Sequence, residues 1–329
     1  MKAFIKIFRF FPPETAHHLA LLSLKILNKV KVLKLFFPTN KDFDNPKEYF
    51  NLKFKNMLGV AAGLDKNGDY VEELESLGFG FIELGTVTPK PQEGNQKPRV
   101  FRYINQRAVV NRLGFNNKGV DHLVKRVKGR KYDGVLGINI GANKDSMGQK
   151  RVDDYIECFQ KVSAYADYIT VNISSPNTPG LRSLHAKENF LPLFKALEDV
   201  RETENFFNPI FIKLSPDENI DVISEITKAI KEFNFDGVIT SNTTIEKSNL
   251  MFQSKVDLSG GLSGKPLLEK SNELLSLVHS REPELFKIGV GGVHNKESFN
   301  MKFEKGASLV QIYTSFIYDG PEIIKKLLN

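Results

Sequence analysis

Residues 134–177, GVLGINIGANKDSMGQKRVDDYIECFQKVSAYADYITVNISSPN, hold the unit from which the fold is read. An apolar run, Val135–Ile140, ends in a loop of Gly, Ala and Asn, and an amphipathic stretch follows. A second apolar run, Tyr168–Ile173, ends in a Ser and Asn loop. That order is strand, helix, parallel strand. The same alternation continues through residues 41–329, with eight runs at Met57–Ala61, Phe81–Gly85, Val135–Ile140, Tyr168–Ile173, Ile210–Leu214, Gly237–Ser241, Lys287–Gly291 and Leu309–Tyr313. Eight such units close a (β/α)8 TIM barrel, and a chain of 329 residues suits one barrel as a single large domain.

In a barrel, functional side chains stand where the strands end, on the carboxyl face. At or just past the eight ends lie Lys66, Thr86, Asn139, Asn172 with Ser175, Lys213, Asn242 with Thr243, Gly291 with Gly292, and Tyr313 with Thr314. Three late segments, SGGLSGKPL (259–267), GVGG (289–292) and QIYTSF (311–316), read as glycine-rich loops and helix starts that bring backbone N–H groups to a phosphate. No GxGxxG follows the first strand, which argues against a doubly wound dinucleotide fold.

With 41% hydrophobic and 26% charged residues the composition is ordinary for a globular chain, which excludes wholesale disorder and fibrous architectures. Cys158 is the single cysteine; it forms no internal disulfide, cannot alone hold an iron–sulfur cluster, and fits a reducing compartment. The six histidines show no HExxH spacing and there is no acidic ladder, so no metal is expected.

The net charge is +7, and residues 1–37 hold seven Lys or Arg against one acid, Glu14. No run of about 20 apolar residues exists to span a bilayer. MKAFIKIFRFF meets Pro12 and Pro13 rather than a small-residue cleavage site, so it reads as part of the mature chain. Beyond the prolines, Leu19, Leu22, Ile26, Val30, Leu33 and Phe37 form one apolar stripe, and Leu21, Leu24, Val32 and Leu35 a second. Two short amphipathic helices breaking near Asn28 explain the pattern. Two placements stay open: a hairpin in the membrane interface with its lysines toward anionic headgroups, or helices packed on the main domain. The positive charge sits on this greasy segment rather than across a polar face, so no nucleic acid is expected as partner.

The segments AAGLDKNG, IELGTVTPKPQEGNQKPRVFR, NRLGFNNKG, GVLGINIGANKD, VNISSPNTPGLR, SNTT, GGLSGKPL, GVGGV and SLVQIYTSF, in this order, closely resemble dihydroorotate dehydrogenase, in its membrane-associated, quinone-using class. The resemblance covers nearly the whole chain. It implies an N-terminal helical domain, 1–40, for membrane association and quinone access, and a catalytic barrel, 41–329, carrying one FMN. The implied activity is oxidation of (S)-dihydroorotate to orotate in pyrimidine (UMP) biosynthesis with a membrane quinone as second, ping-pong substrate. The implied place is peripheral, on the cytoplasmic side of a bacterial inner membrane, as a monomer or homodimer.

Carried over position by position, the resemblance assigns FMN contacts to Ala62, Gly63, Leu64, Asp65, Lys66, Thr86, Asn139, Asn172, Lys213, Ser241, Gly264, Gly292, Tyr313 and Thr314. Lys213 would stabilise negative charge at the flavin N1 and O2 edge. Substrate contacts fall to Lys66, Asn111, Arg112, Leu113, Gly114, Phe115, Asn172, Asn177, Asn242 and Thr243. Asparagine side chains match the alternating N–H and C=O of a dihydropyrimidine, and Lys66 supplies charge for its carboxylate. Ser175 is the implied base, removing the C5 proton while the C6 hydride moves to flavin N5, with a relay through Thr178 or water. Soluble members carry cysteine there. His17 and Arg102 match positions lining the quinone tunnel. The rivals are a soluble dihydroorotate dehydrogenase using fumarate or NAD, against which Ser175 and the helical extension argue, and a flavin barrel reducing uridine in tRNA, against which the siting of the positive charge on the greasy segment argues.

Overall fold

The structure, a computed structural model, describes residues 8, 10–32, 45–178, 180–248, 250 and 259–329. Pro12 and Pro13 open the first helix, α1 (Pro13–Lys29), where a missing N–H leaves nothing unsatisfied. It ends where the sequence predicts a break, and the second predicted helix falls on residues 33–37, outside the described residues. The two apolar faces of α1 have different fates. Ala16 and Leu21 are buried, and Leu24 and Leu27 pack on the main core. Leu22, Ile26 and Val30, one turn apart, stay exposed, as do Phe10 and Phe11 just ahead of the helix.

A hairpin follows, β1 (Lys47–Tyr49) and β2 (Leu52–Phe54), turned by Phe50 and Asn51 at φ 56° and 60°. Left-handed conformation at both turn residues matches the twist of the paired strands. An unusual residue for that position, Phe50 packs its ring edge-on against Phe286 at 5.0 Å between centroids. The hairpin lies over one mouth of the barrel, where Phe54 meets Phe81 at 5.4 Å.

The barrel begins with β3 (Leu58–Val60), α2 (Val71–Glu75) and β4 (Phe81–Val87). An excursion, β5 (Val100–Tyr103) and β6 (Ala108–Asn111), precedes α3 (Val120–Val127), β7 (Val135–Ile140), α4 (Gln149–Val162) and β8 (Tyr168–Asn172). Then come α5 (Lys187–Thr203), β9 (Ile210–Leu214), α6 (Ile220–Glu232) and β10 (Gly237–Thr240). The chain closes through β11 (Gly261–Gly264), α7 (Leu268–Arg281), β12 (Phe286–Val290), α8 (Lys296–Glu304), β13 (Leu309–Ile312), α9 (Thr314–Asp319) and α10 (Glu322–Leu328). Strands β3, β4, β7, β8, β9, β10, β12 and β13 pair in parallel in that order, and β13 closes on β3. These are the eight expected runs, each within two residues of its expected bounds. Helix ends are fixed locally: Asn219 accepts from Val222 N at α6, and Asn295 and Ser298 form a reciprocal capping box at α8.

One expectation is corrected. SGGLSGKPL is not simply a loop: its centre is β11, paired antiparallel with β6, Leu262 opposite Val110 and Ser263 opposite Val109, in a three-stranded sheet with β5. Alternating glycine and small residues suggest a turn because they lack the bulky side chains that mark a strand. Gly260 and Gly261 are small for a reason: a Cβ at Gly260 would overlap Asn111 O and one at Gly261 the Thr243 hydroxyl.

Inside the barrel, large side chains are accommodated by glycines on neighbouring strands. Gly59 lies beside Phe81, and Gly137 beside Tyr168. A Cβ at Gly137 would overlap the Tyr168 ring. Gly137→Ala is therefore expected to destabilise the barrel by about 1–3 kcal/mol through overpacking, measured as a drop in urea midpoint at constant m-value; an unchanged midpoint would show that the ring can move aside.

Candidate active site

The interior of a closed barrel has no water to satisfy polar groups, so each one found there must bond to another. Glu83, in the middle of β4, is fully buried. Asn139 Nδ2 donates to its Oε1 at 2.9 Å, and Gln311 Nε2 and the Tyr168 hydroxyl donate to Oε2 at 2.7 and 3.1 Å. From Asn139 the bonds climb toward the carboxyl face. The Thr86 hydroxyl donates to Asn139 Oδ1 at 2.6 Å, and Asn172 Nδ2 donates to Thr86 Oγ1 at 3.0 Å. Asn242 Nδ2 then reaches Ser174 Oγ at 3.0 Å and Asn172 Oδ1 at 3.3 Å. Four strands and two loops are tied by one continuous polar chain.

That chain opens into a cavity at the strand ends. Ala62, Gly63, Lys66, Thr86, Asn111, Leu113, Gly114, Phe115, Asn172, Ser175, Asn177, Lys213, Ser241, Asn242, Thr243, Gly264, Gly292, Tyr313 and Thr314 all line it. Four of the residues assigned to cofactor or substrate do not. Asn139 is fully buried one layer behind. Asp65 turns its carboxylate onto the N–H groups of Asn67, Asp69 and Tyr70, which shapes the loop after β3. Leu64 belongs to the main core. Arg112 directs its guanidinium to Ser259 Oγ at 2.7 Å and Pro98 O at 3.1 Å, away from the cavity.

Two cations are held in the wall. Lys213 is buried, and no acceptor among the described residues bonds its ammonium; burial lowers its pKa, countered in part by the charge of Glu83. Lys66 donates to Asn116 Oδ1 at 2.5 Å, and burial together with the nearby Arg99 charge brings its pKa down to about 7. Unsatisfied acceptors and hydroxyls face the same space: Asn177 Oδ1, Thr243 Oγ1, Gln311 Oε1 and Ser315 Oγ are buried without partners among the described residues. Asn177 Nδ2 donates to Asn111 Oδ1 at 3.1 Å, which fixes both side chains at the rim.

A second cavity, about 860 Å3, lies beneath α1 and shares Gly63, Lys66, Asn111, Leu113 and Tyr313 with the first. Its walls are largely apolar, among them Leu21, Leu24, Leu27, Val100, Val109, Phe316 and Ile317. His17 and Arg102 both line it. Burial and the neighbouring Lys66 and His18 charges lower the His17 pKa to about 4, so it is neutral near pH 7. Arg102 also donates to Phe8 O at 3.2 Å and Phe11 O at 2.5 Å, and Arg99 pairs with Glu14 at 2.6 Å. Both arginines anchor the entry to α1. Among the described residues no helix is long and apolar enough to cross a membrane, and no group of three or more His, Cys, Asp or Glu is placed to hold a metal ion.

The geometry defines a (β/α)8-barrel protein with a polar, cation-bearing cavity at its carboxyl face that opens into an apolar one. A family model described as dihydroorotate dehydrogenase matches residues 46–329. A relative from Enterobacter sp. (strain 638), named dihydroorotate dehydrogenase (quinone), is 44% identical over 322 residues, covering 96% of this chain and 95% of its own. A second of the same name, from Saccharophagus degradans, is 45% identical and covers 94% and 93%. The crystal structure of a DHODH from Eimeria tenella in complex with ferulenol superposes with a TM-score of 0.85 at 33% identity, over 97% of this chain and 90% of that one. The chain belongs to the dihydroorotate dehydrogenase family, in its quinone class.

Residues that sequence reasoning missed are mostly those that position others. Glu83 and Gln311 each interrupt an apolar run, FIELGTV and LVQI, and a charge or amide in mid-strand is the signal that marks them. Arg182 had no such signal. Its guanidinium donates to Ser174 O and Thr243 O, both at 3.3 Å, and pairs with Asp217 at 3.0 Å, joining the Ser175 loop to the Thr243 loop. Arg182→Ala is expected to cost about 1–3 kcal/mol and to speed amide hydrogen exchange in residues 174–178. Unchanged exchange there would show that the loop is held by other contacts.

Proposed function

We propose that this protein oxidises (S)-dihydroorotate to orotate at the polar cavity, with FMN as cofactor, and passes the electrons to a membrane quinone that enters through the apolar cavity. The observation that carries this reading is the junction of two chemically opposite cavities at Gly63, Lys66 and Tyr313. A soluble acceptor such as fumarate or NAD needs no apolar passage.

The residues present suit FMN. Among the described residues no acceptor bonds the buried Lys213 ammonium and Gln311 Oε1 and Ser315 Oγ are unsatisfied, while Gly264 and Gly292 hold positive φ at 92° and 79° where a side chain would collide with backbone. When bound, the flavin supplies the acceptor for the C6 hydride of dihydroorotate and the donor to quinone. Lys213 would stabilise negative charge on the bound flavin, Thr86 and Asn172 would hold its ring, and Gly264, Gly292 and Thr314 would take its phosphate. Asn111, Asn177, Asn242 and Thr243 supply the amides and hydroxyl that orient the dihydropyrimidine, and Lys66 pairs with its carboxylate. Ser175, only 5% exposed, takes the C5 proton as its own hydroxyl proton moves on. Thr178 Oγ1, buried without a partner among the described residues, is the next relay member.

The exposed Phe10, Phe11, Leu22, Ile26 and Val30 form the surface that rests on the membrane, with residues 1–40 as the quinone-admitting domain. The cytoplasmic face of a bacterial inner membrane suits this orientation.

Rapid mixing without oxygen separates the two half-reactions. Ser175→Ala is expected to slow reduction by dihydroorotate by roughly 10²–10⁴ and leave reoxidation by quinone intact. Arg102→Ala is expected to slow reoxidation more than reduction; equal slowing of both halves in either variant removes that residue's assignment. The charge of Lys66 gives a pH test. Because its pKa lies near 7 rather than 10.5, raising the pH above 7 removes the proton that an anionic ligand needs. Orotate affinity should therefore weaken about tenfold per pH unit above 7, with flat affinity from 7 to 9 as the contrary result.

A further inference from the structure

We propose that Lys302 is a positioning residue for the flavin phosphate, a buried cation set directly behind the glycine loop that holds it. The inference rests on the FMN reading above and concerns a residue outside the cavity. Lys302, on α8, is completely buried. Its Nζ donates to Ser271 Oγ at 2.6 Å and lies 3.5 Å from Val290 O. Ser271, on α7 and itself fully buried, sits 3.0 Å from Gly291 O. Val290, Gly291 and Gly292 all line the cavity, so one layer of backbone separates the ammonium from the ligand space.

No carboxylate among the described residues pairs with Lys302. A lone ammonium in a dry interior is costly unless an anion balances it, and a single serine hydroxyl is not an anion. The loop between cation and cavity packs closely on α7: a Cβ at Gly292 would overlap the backbone of Leu268 and one at Gly291 would press on Ser271. The charge thus lies directly behind the backbone that faces whatever binds beyond the glycines. Burial alone lowers the Lys302 pKa to about 7; neither Glu269, Lys270, Glu273 and His279 of α7, nor Glu304 of α8, Lys287 of β12 or Glu322 of α10 acts on it. A phosphate dianion beyond the loop would draw the proton back.

The test compares FMN with riboflavin, which has the same ring and no phosphate, by fluorescence titration of the cofactor-stripped protein. The wild type is expected to prefer FMN, and Lys302→Met and Lys302→Gln should each cut that preference about tenfold or more, as loss of one nearby charge does. Riboflavin affinity should stay unchanged. Ser271→Ala keeps the charge and removes the hydrogen bond, so its preference should stay near wild type. Calorimetry of the wild type at pH 8 in two buffers adds a check that needs no variant: FMN binding should take up close to one proton more than riboflavin binding.

Three results overturn the inference. The neutral variants keep the preference, Ser271→Ala loses it as far as Lys302→Met does, or FMN and riboflavin take up equal protons. A wild type that binds both equally overturns instead the FMN reading on which the inference stands.

Discussion

A carboxylate sealed inside a barrel has to be answered by its neighbours, and Glu83 sets that condition for the rest of the site. Its two oxygens take bonds from Asn139, Gln311 and Tyr168, on three different strands. Asn139, committed downward to Glu83, accepts from Thr86 above, and Thr86 accepts from Asn172. The polar residues at the cavity floor are thereby oriented before any ligand arrives, which is the form of preorganisation that favours charge development in a reaction. The charge of the same carboxylate counters part of the lowering that burial imposes on the Lys213 pKa. Replacing this chain by apolar residues would still fill the barrel. It would leave the amides at the strand ends free to turn.

Above that floor the architecture divides labour between two environments. The loops after the strands supply amides, hydroxyls and ammonium groups to a cavity suited to a small polar anion and a phosphate-bearing cofactor. The helix α1 supplies a roof of leucines over a cavity suited to an apolar molecule. Arg99 and Glu14, paired at 2.6 Å, fix the start of that roof to the barrel side. The two spaces share a wall, so a cofactor placed there is reached from both.

The barrel was legible because each strand run is followed by its own loop and amphipathic stretch, and the eight runs fell where the strands lie. The cavity residues were legible for the same reason: position at a strand end is readable from the chain. What escaped depends on three-dimensional neighbours. The excursion β5, β6 and β11 pairs segments some 150 residues apart, and glycines disguised its third strand. Lys302 sits on a short helix among Lys296, Glu297, Glu304 and Lys305, where a lysine reads as part of a solvated face; only the packing of α8 on α7 buries it. Arg112, expected at the substrate, is drawn to Ser259 because β6 and β11 are paired. The second apolar stripe on α1 was visible, but which stripe would face the barrel was set by Tyr70, Glu73 and the β5 strand it meets.

The most direct measurement is a single turnover without oxygen on the detergent-purified protein: dihydroorotate first, then quinone, fumarate or NAD in separate samples, with flavin absorbance and orotate followed together. The account predicts one orotate per bound flavin in the absence of any acceptor, bleaching of the flavin, and rapid return of its colour with quinone alone. A flavin left yellow by dihydroorotate, or restored equally by fumarate or NAD, would contradict it.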